Sequence, residues 1–144
     1  MVKEEVEQRA FDYFEGGFHC AEAISKTITE FFTKEVSSEI PKVASGFGGG
    51  IGKTKEDVCG ALTGGVIALG CILGRMEPGR DIKDVCELAS EFRRHFLDKF
   101  GSTNCQTILK GFGEQENMQK CKRLTATAAG ILSEILAERG IIKG

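Results

Sequence analysis

Val58-Cys59-Gly60-Ala61-Leu62-Thr63-Gly64-Gly65-Val66-Ile67-Ala68-Leu69-Gly70-Cys71-Ile72-Leu73-Gly74 runs without a single charge, between Asp57 and Arg75. It is rich in Ala, Val, Ile and Leu, and its apolar residues recur at helical spacing. The stretch is shorter than the ~20 residues a bilayer-crossing helix needs, and Gly interrupts it at positions 60, 64, 65, 70 and 74. It therefore reads as the central helix of a soluble bundle, buried on all sides, with Asp57 as its N-cap and its end near Gly74. No membrane insertion is expected.

Working outward, apolar spacings of three and four recur along the chain, and no stretch sustains the period-two alternation of a strand. The fold class this predicts is all-α, a compact single-domain bundle of about five to seven helices spanning residues 1–144. A first helix covers Val2 to Glu15, with Val6, Ala10, Tyr13 and Phe14 on one face, and Gly16-Gly17 stops it. A second starts near His19 and aligns Cys20, Ile24, Thr27, Ile28 and Phe31. Ser37 or Ser38 caps a short third helix through Ala44. After the Pro78-Gly79 turn, Asp81 caps a helix whose inward face holds Ile82, Val85, Cys86, Ala89, Phe92, Phe96 and Phe100. Asn104 precedes a short helix with Cys105, Ile108, Leu109 and Phe112. A last helix from Glu116 to Arg139 turns Cys121, Leu124, Ala128, Ile131, Leu132 and Ile135 inward.

Composition narrows the function classes. A chain of 144 residues can bury enough surface to stand without disulfides. Its net charge of -2 and pI near 5.8 give no long-range attraction for nucleic acid or an anionic membrane. The acidic start, Lys3-Glu4-Glu5, lacks the basic and then apolar pattern of a secretory signal, so a cytoplasmic location is expected. In a reducing compartment, six dispersed cysteines are not a static disulfide framework.

Four of those cysteines, Cys20, Cys59, Cys105 and Cys121, fall in the first turn or two of an expected helix, on its apolar side. A helix start favours negative charge and so favours thiolate over thiol. Packing could bring the four sulfurs together at one end of the bundle, as ligands for tetrahedral zinc or an iron–sulfur cluster. The gaps between them are long and contain no Cys-x-x-Cys pair, and plain core packing is the alternative. Cys71 and Cys86 are assigned to packing. Gly60, Ala61 and Gly64 leave space for close approach by a cofactor or by a neighbouring helix.

Two further features call for weighing. Gly48-Gly49-Gly50-Ile51-Gly52-Lys53-Thr54 superficially matches a phosphate-binding loop, but Phe47 stands where the pattern needs Gly and no strand precedes it. A tight loop, or a nest of backbone N–H groups beside an anionic site, fits better. His19 adjoins Cys20 and could support its thiolate, serve as an alternate ligand or carry a proton, or simply begin a helix. His95, Arg75 and Arg80 read as surface residues.

Cys59-Gly60-Ala61-Leu62-Thr63-Gly64, with Cys20 before it and Cys105 and Cys121 after it, resembles the family named for a Cys, a Cys-Gly-Ala-x-x-Gly motif and two further Cys. Members of that family are described as redox-active. The resemblance extends over nearly the whole chain and includes the preceding glycine run and the Phe100-Gly101 approach to Cys105. It implies an association with redox or transport functions, and a prosthetic group such as an iron–sulfur cluster. The expectation is a redox or metal site formed by Cys20, Cys59, Cys105 and Cys121, most simply an iron–sulfur cluster for electron transfer or sensing in an oxidoreductase component. Alternatives are a metal-free thiol–disulfide protein and a non-redox zinc module. Expected partners are a redox protein or a transporter or oxidoreductase system, and the small apolar residues leave room for a homodimer.

Overall fold

In the computed structural model, which describes residues 2–141, six α-helices and one 3₁₀ helix are found and no strand is formed among these residues. The order is α1 (Val2–Glu15), α2 (Cys20–Phe32), the 3₁₀ helix (Lys42–Phe47), α3 (Gly60–Leu73), α4 (Lys83–Phe100), α5 (Cys105–Phe112) and α6 (Gln119–Glu138). The all-α expectation therefore holds. Residues 1 and 142–144 of the expected 1–144 domain lie outside the described residues.

The local reasons are those of helix chemistry. Val6, Ala10 and Phe14 recur every fourth residue and form the buried edge of α1. Its chain then reverses through Gly17, whose φ of 123° suits a residue without Cβ. The stripe of α4 is Leu88, Phe92 and Phe96, all fully buried, and each such aromatic contributes about 1.5–3 kcal/mol of burial. Phe92 closes over Gly65 of α3, where a Cβ would strike its ring.

Helix α6 is the hub. It packs on α1, α2, α3 and α4, and Leu124, Ala128, Ala129, Leu132 and Leu136 supply its share of the core. The ammonium of Lys122, largely buried, meets Glu15 at 2.9 Å and ties α6 to the end of α1. The two most extensive pairings are α1 with α6 and α2 with α3.

Several expectations need correction. The uncharged helix α3 is not buried on all sides, because Val66, Gly70 and Cys71 form an exposed outer stripe while α6 takes the central place. The N-cap of α3 is Cys59 rather than Asp57, whose carbonyl instead accepts from the N–H of Cys105. The third helix is a 3₁₀ helix capped by Pro41, so it starts later than the expected cap at Ser37 or Ser38 and runs past Ala44 to Phe47. Asp81 accepts from the N–H of Lys83 at 2.8 Å but sits one residue before the true N-cap, Ile82. Helix α6 begins at Gln119, three residues later than expected, since Asn117 and Met118 take left-handed conformations.

Cys71 and Cys86, assigned to packing, are both exposed. On α4 the buried stripe steps through 85, 88, 92 and 96, and Cys86 lies off it. Cys71 belongs to the outer stripe of α3. Ile82, also expected inward, is 36% exposed.

Candidate functional site

Each of the four remaining cysteines sits at a helix start. Cys20 and Cys105 are the first residues of α2 and α5, Cys59 is the N-cap of α3, and Cys121 is the third residue of α6. All four line one cavity of about 360 Å³, together with His19, Gly49, Lys53, Lys55, Gly60 and Gln115 on its polar side. Phe14, Ile108, Leu109, Met118 and Leu124 form its apolar side. Four helices widely separated in sequence thus direct sulfur to one space.

Three local devices produce this convergence. First, Val58 and Asn104 form an isolated antiparallel bridge: Cys59 N–H donates to Thr103 O and Cys105 N–H to Asp57 O, both at 2.8 Å. The Asn104 side chain caps α5 by accepting from Thr107 N–H at 3.0 Å and donates to Glu56 O at 2.9 Å. The starts of α3 and α5 are therefore fastened together, Cys59 beside Cys105. Second, α2 and α3 touch where Gly60 and Gly64 omit side chains. A Cβ on Gly60 would collide with Cys20 Sγ, and one on Gly64 with the Ala21 carbonyl and the Ile24 side chain. Gly60 belongs to the cavity wall, Ala61 is fully buried and offers its N–H to Cys59, and Gly64 serves the helix contact.

The third device is the glycine-rich loop. Gly49, Gly50, Ile51, Gly52 and Lys53 all have φ between 62° and 70°, giving a left-handed turn closed by Lys53 N–H to Gly48 O and Lys55 N–H to Gly49 O. L-residues enter this region at a cost of roughly 1–2 kcal/mol each, so Ile51, Lys53 and Lys55 hold strain beside the cavity. The turn presses Gly50 against the Cβ of Cys105 and aims the Gly49 N–H at the sulfur of Cys20. The tight loop expected from the sequence is thus built: the N–H groups of Gly52, Lys53 and Lys55 go to its own carbonyls, and that of Gly49 faces the Cys20 thiol.

Electrostatics in the protein alone run against the thiolate expectation. Burial pushes the Cys59 thiol up to about 12, and the neighbouring Cys20 sulfur adds to the effect, while the Ala61 N–H opposes it. Cys20 is also raised by burial, against N–H donation from Gly49 and Ala21. Burial raises Cys105, helped by the Cys20 and Cys121 sulfurs and opposed by the Lys55 ammonium. Cys121 is raised by burial too, with Gln115 and Lys55 opposing. Desolvation outweighs the helix starts, so the four groups are protonated thiols near neutral pH.

His19 joins the cavity wall as the N-cap of α2, its N–H donating to Glu22 Oε1 at 2.9 Å and its ring 6.5 Å from that of Phe14. Sequence reasoning missed Gln115, Lys53 and Lys55. Gln115 lies in a polar connection with no periodicity to mark it. The lysines became visible as site residues only through the left-handed turn. Among the described residues, no three His, Cys, Asp or Glu side chains are gathered closely enough to hold a single metal ion.

A family model described as "Putative redox-active protein (C_GCAxxG_C_C)" matches residues 18–135, a span that contains all four cavity cysteines. No curated protein and no solved structure matches the chain.

Proposed function

We propose, on the premise that this chain belongs to the C_GCAxxG_C_C family of redox-active proteins, that its four-cysteine cavity holds an iron–sulfur cluster used for electron transfer or sensing. The observation that carries this reading is the convergence of Cys20, Cys59, Cys105 and Cys121, from four helix starts, on one cavity. Four thiolates are a donor set that zinc and iron–sulfur clusters share. A cluster accepts a different cysteine at each iron and suits sulfurs arranged around a cavity.

The raised thiols bear on the disulfide alternative. A thiol that remains protonated at neutral pH is a slow nucleophile, which disfavours a dithiol that exchanges disulfides without metal. A cationic iron core displaces those protons on binding, as metal–thiolate sites do. When bound, the cluster would supply a one-electron couple. The chain's own contributions are to bind through four sulfurs, to donate N–H groups from Gly49 and Ala61, and to exclude water with Phe14, Ile108, Leu109 and Leu124. Helix dipoles and the Lys55 ammonium offset part of the negative charge. A separate redox protein or a transporter-linked oxidoreductase would then take the electron.

The test is anaerobic purification, with reconstitution by ferrous iron and sulfide, followed by visible absorption and elemental analysis. Broad visible absorption with stoichiometric iron and acid-labile sulfide, both lost in Cys59→Ser, is expected. A colourless chain with stoichiometric zinc would favour the interaction-module alternative. A metal-free chain whose titratable thiols fall in number after mild oxidation would favour disulfide chemistry.

A further inference from the structure

The N-terminus of α6 lacks a cap of its own. Its N-cap, Met118, sits in the left-handed region with φ of 56° and offers no side-chain acceptor. The work falls to Gln115, whose Oε1 accepts from Lys120 N–H at 2.9 Å and from Cys121 N–H at 3.0 Å. Two backbone donors on one oxygen fix the orientation of the amide, so its Nε2 faces the other way, 3.2 Å from Cys121 Sγ. One side chain thus holds the helix start and donates to the sulfur that the helix carries.

The four sulfurs differ in this respect. Cys20 receives N–H groups from Gly49 and Ala21, and Cys59 from Ala61, all from the backbone. Cys105 has the Lys55 ammonium nearby. Cys121 is the sulfur that takes its hydrogen bond from a side chain, and a side chain is what substitution can change without rebuilding the loop. Hydrogen bonds to cluster sulfurs are among the principal determinants of reduction potential.

We infer that Gln115 is a positioning residue for Cys121, which it orients through the α6 cap and polarises through Nε2–H···S donation. The effect on the thiol stands without the iron–sulfur reading; an effect on potential rests on that reading.

Gln115→Glu separates the two roles. A carboxylate keeps both cap acceptors, and at a helix start its charge is favourable, but it cannot donate to sulfur and places negative charge beside it. Gln115→Met removes cap and donor together. In the reduced, metal-free full chain, cysteine-resolved alkylation by iodoacetamide at one fixed pH is read by mass spectrometry, alongside the thermal midpoint. Gln115→Glu should retain most of the stability that Gln115→Met loses, yet slow the alkylation of Cys121 by about threefold to tenfold, as expected for a weaker thiolate. If the Cys121 rate in Gln115→Glu returns to the wild-type value along with stability, the amide is only a cap and the inference is overturned.

A second measurement needs no substitution at Gln115. The Gln115 side-chain amide proton facing sulfur should move upfield and exchange faster in Cys121→Ala, and an unmoved resonance would overturn the donation. In iron-loaded chain, Gln115→Glu should lower the midpoint potential, and an unchanged potential overturns that part. Failure of the wild type to take up iron and sulfide would sink the cluster reading and leave the alkylation and resonance results to decide on Gln115.

Discussion

Helix α3 carries one cysteine at each end, and the two have opposite fates. Cys59, the N-cap, is 8% exposed and shares a cavity with three other sulfurs, whereas Cys71, two residues before the helix ends, faces outward with Val66 and Gly70. Cys86 on α4 is exposed in the same way. Both ends of α3 read alike in hydropathy, so apolar character did not sort them. Position along the helix did: the start of α3 is gripped by the Val58–Asn104 bridge and by α2, while Gly70 and Cys71 in its second half are exposed. Chemistry in this protein concentrates where helices begin.

The sharpest way to break the comparison is alkali. A buried thiol that holds its proton until about 12, against 9.0 for the ordinary group, binds protons more tightly folded than unfolded. The unfolded chain therefore gains by ionising first, and stability is complete below about pH 9 and lost as pH rises from there through 12. At roughly 1.4 kcal/mol per pH unit, Cys59 alone amounts to an upper bound on the order of 4 kcal/mol. Tyr13, raised from 10.0 to about 12 chiefly by burial, acts in the same direction. Comparing urea unfolding of the reduced, metal-free wild type with Cys59→Ala between about pH 9 and pH 10.5 cancels the tyrosine and leaves the thiol. The wild type should lose stability more steeply than the variant. Equal slopes in wild type and Cys59→Ala would mean that burial does not hold the Cys59 proton.

Two glycines on the same helix sharpen the contrast further. Gly60→Ala drives a methyl onto Cys20 Sγ at the crowded end, whereas a Cβ at Gly70 meets nothing within 4 Å. Overpacking of that kind typically costs about 1–3 kcal/mol, and here it also separates the two sulfurs. In an exposed helix interior the opposite substitution effect applies, because Ala is favoured over Gly by about 0.5–1 kcal/mol. Gly60→Ala should lower the denaturant midpoint and reduce iron uptake on reconstitution. Gly70→Ala should raise the midpoint and leave uptake intact. The same sign for both would show that the two halves of α3 are packed alike.

The sequence made the helices legible because their apolar stripes are long and regular, as in α1, where Val6, Ala10 and Phe14 predict both face and ends. It also placed four cysteines at helix starts, which the structure bears out, and set Asn104 just before α5, where the structure shows it to be the cap. What it hid was non-local or off the helical period. The bridge that joins Cys59 to Cys105 pairs residues 46 positions apart, Val58 with Asn104, through backbone groups that no side-chain pattern encodes. Gln115 acts from a connection, and Ile51 and Lys53 adopt left-handed geometry that their residue types argue against. The thiol protonation was misjudged because a helix start was weighed without its burial, and burial is the larger effect.

The smallest expected effect belongs to the surface cysteines. Cys71→Ser and Cys86→Ser remove sulfurs that line no cavity with the other four, from positions where a hydroxyl remains in contact with water. Substitutions at such places usually change stability by no more than about 0.5 kcal/mol. Each variant, and the double variant, should bind the same iron and sulfide as wild type and show the same visible spectrum. They should also resist the air-induced intermolecular crosslinking that exposed thiols invite, which non-reducing electrophoresis would detect in the wild type. Loss of iron in Cys71→Ser or Cys86→Ser would erase the division between helix starts and outer faces, because it would make a sulfur far along a helix part of the same chemistry.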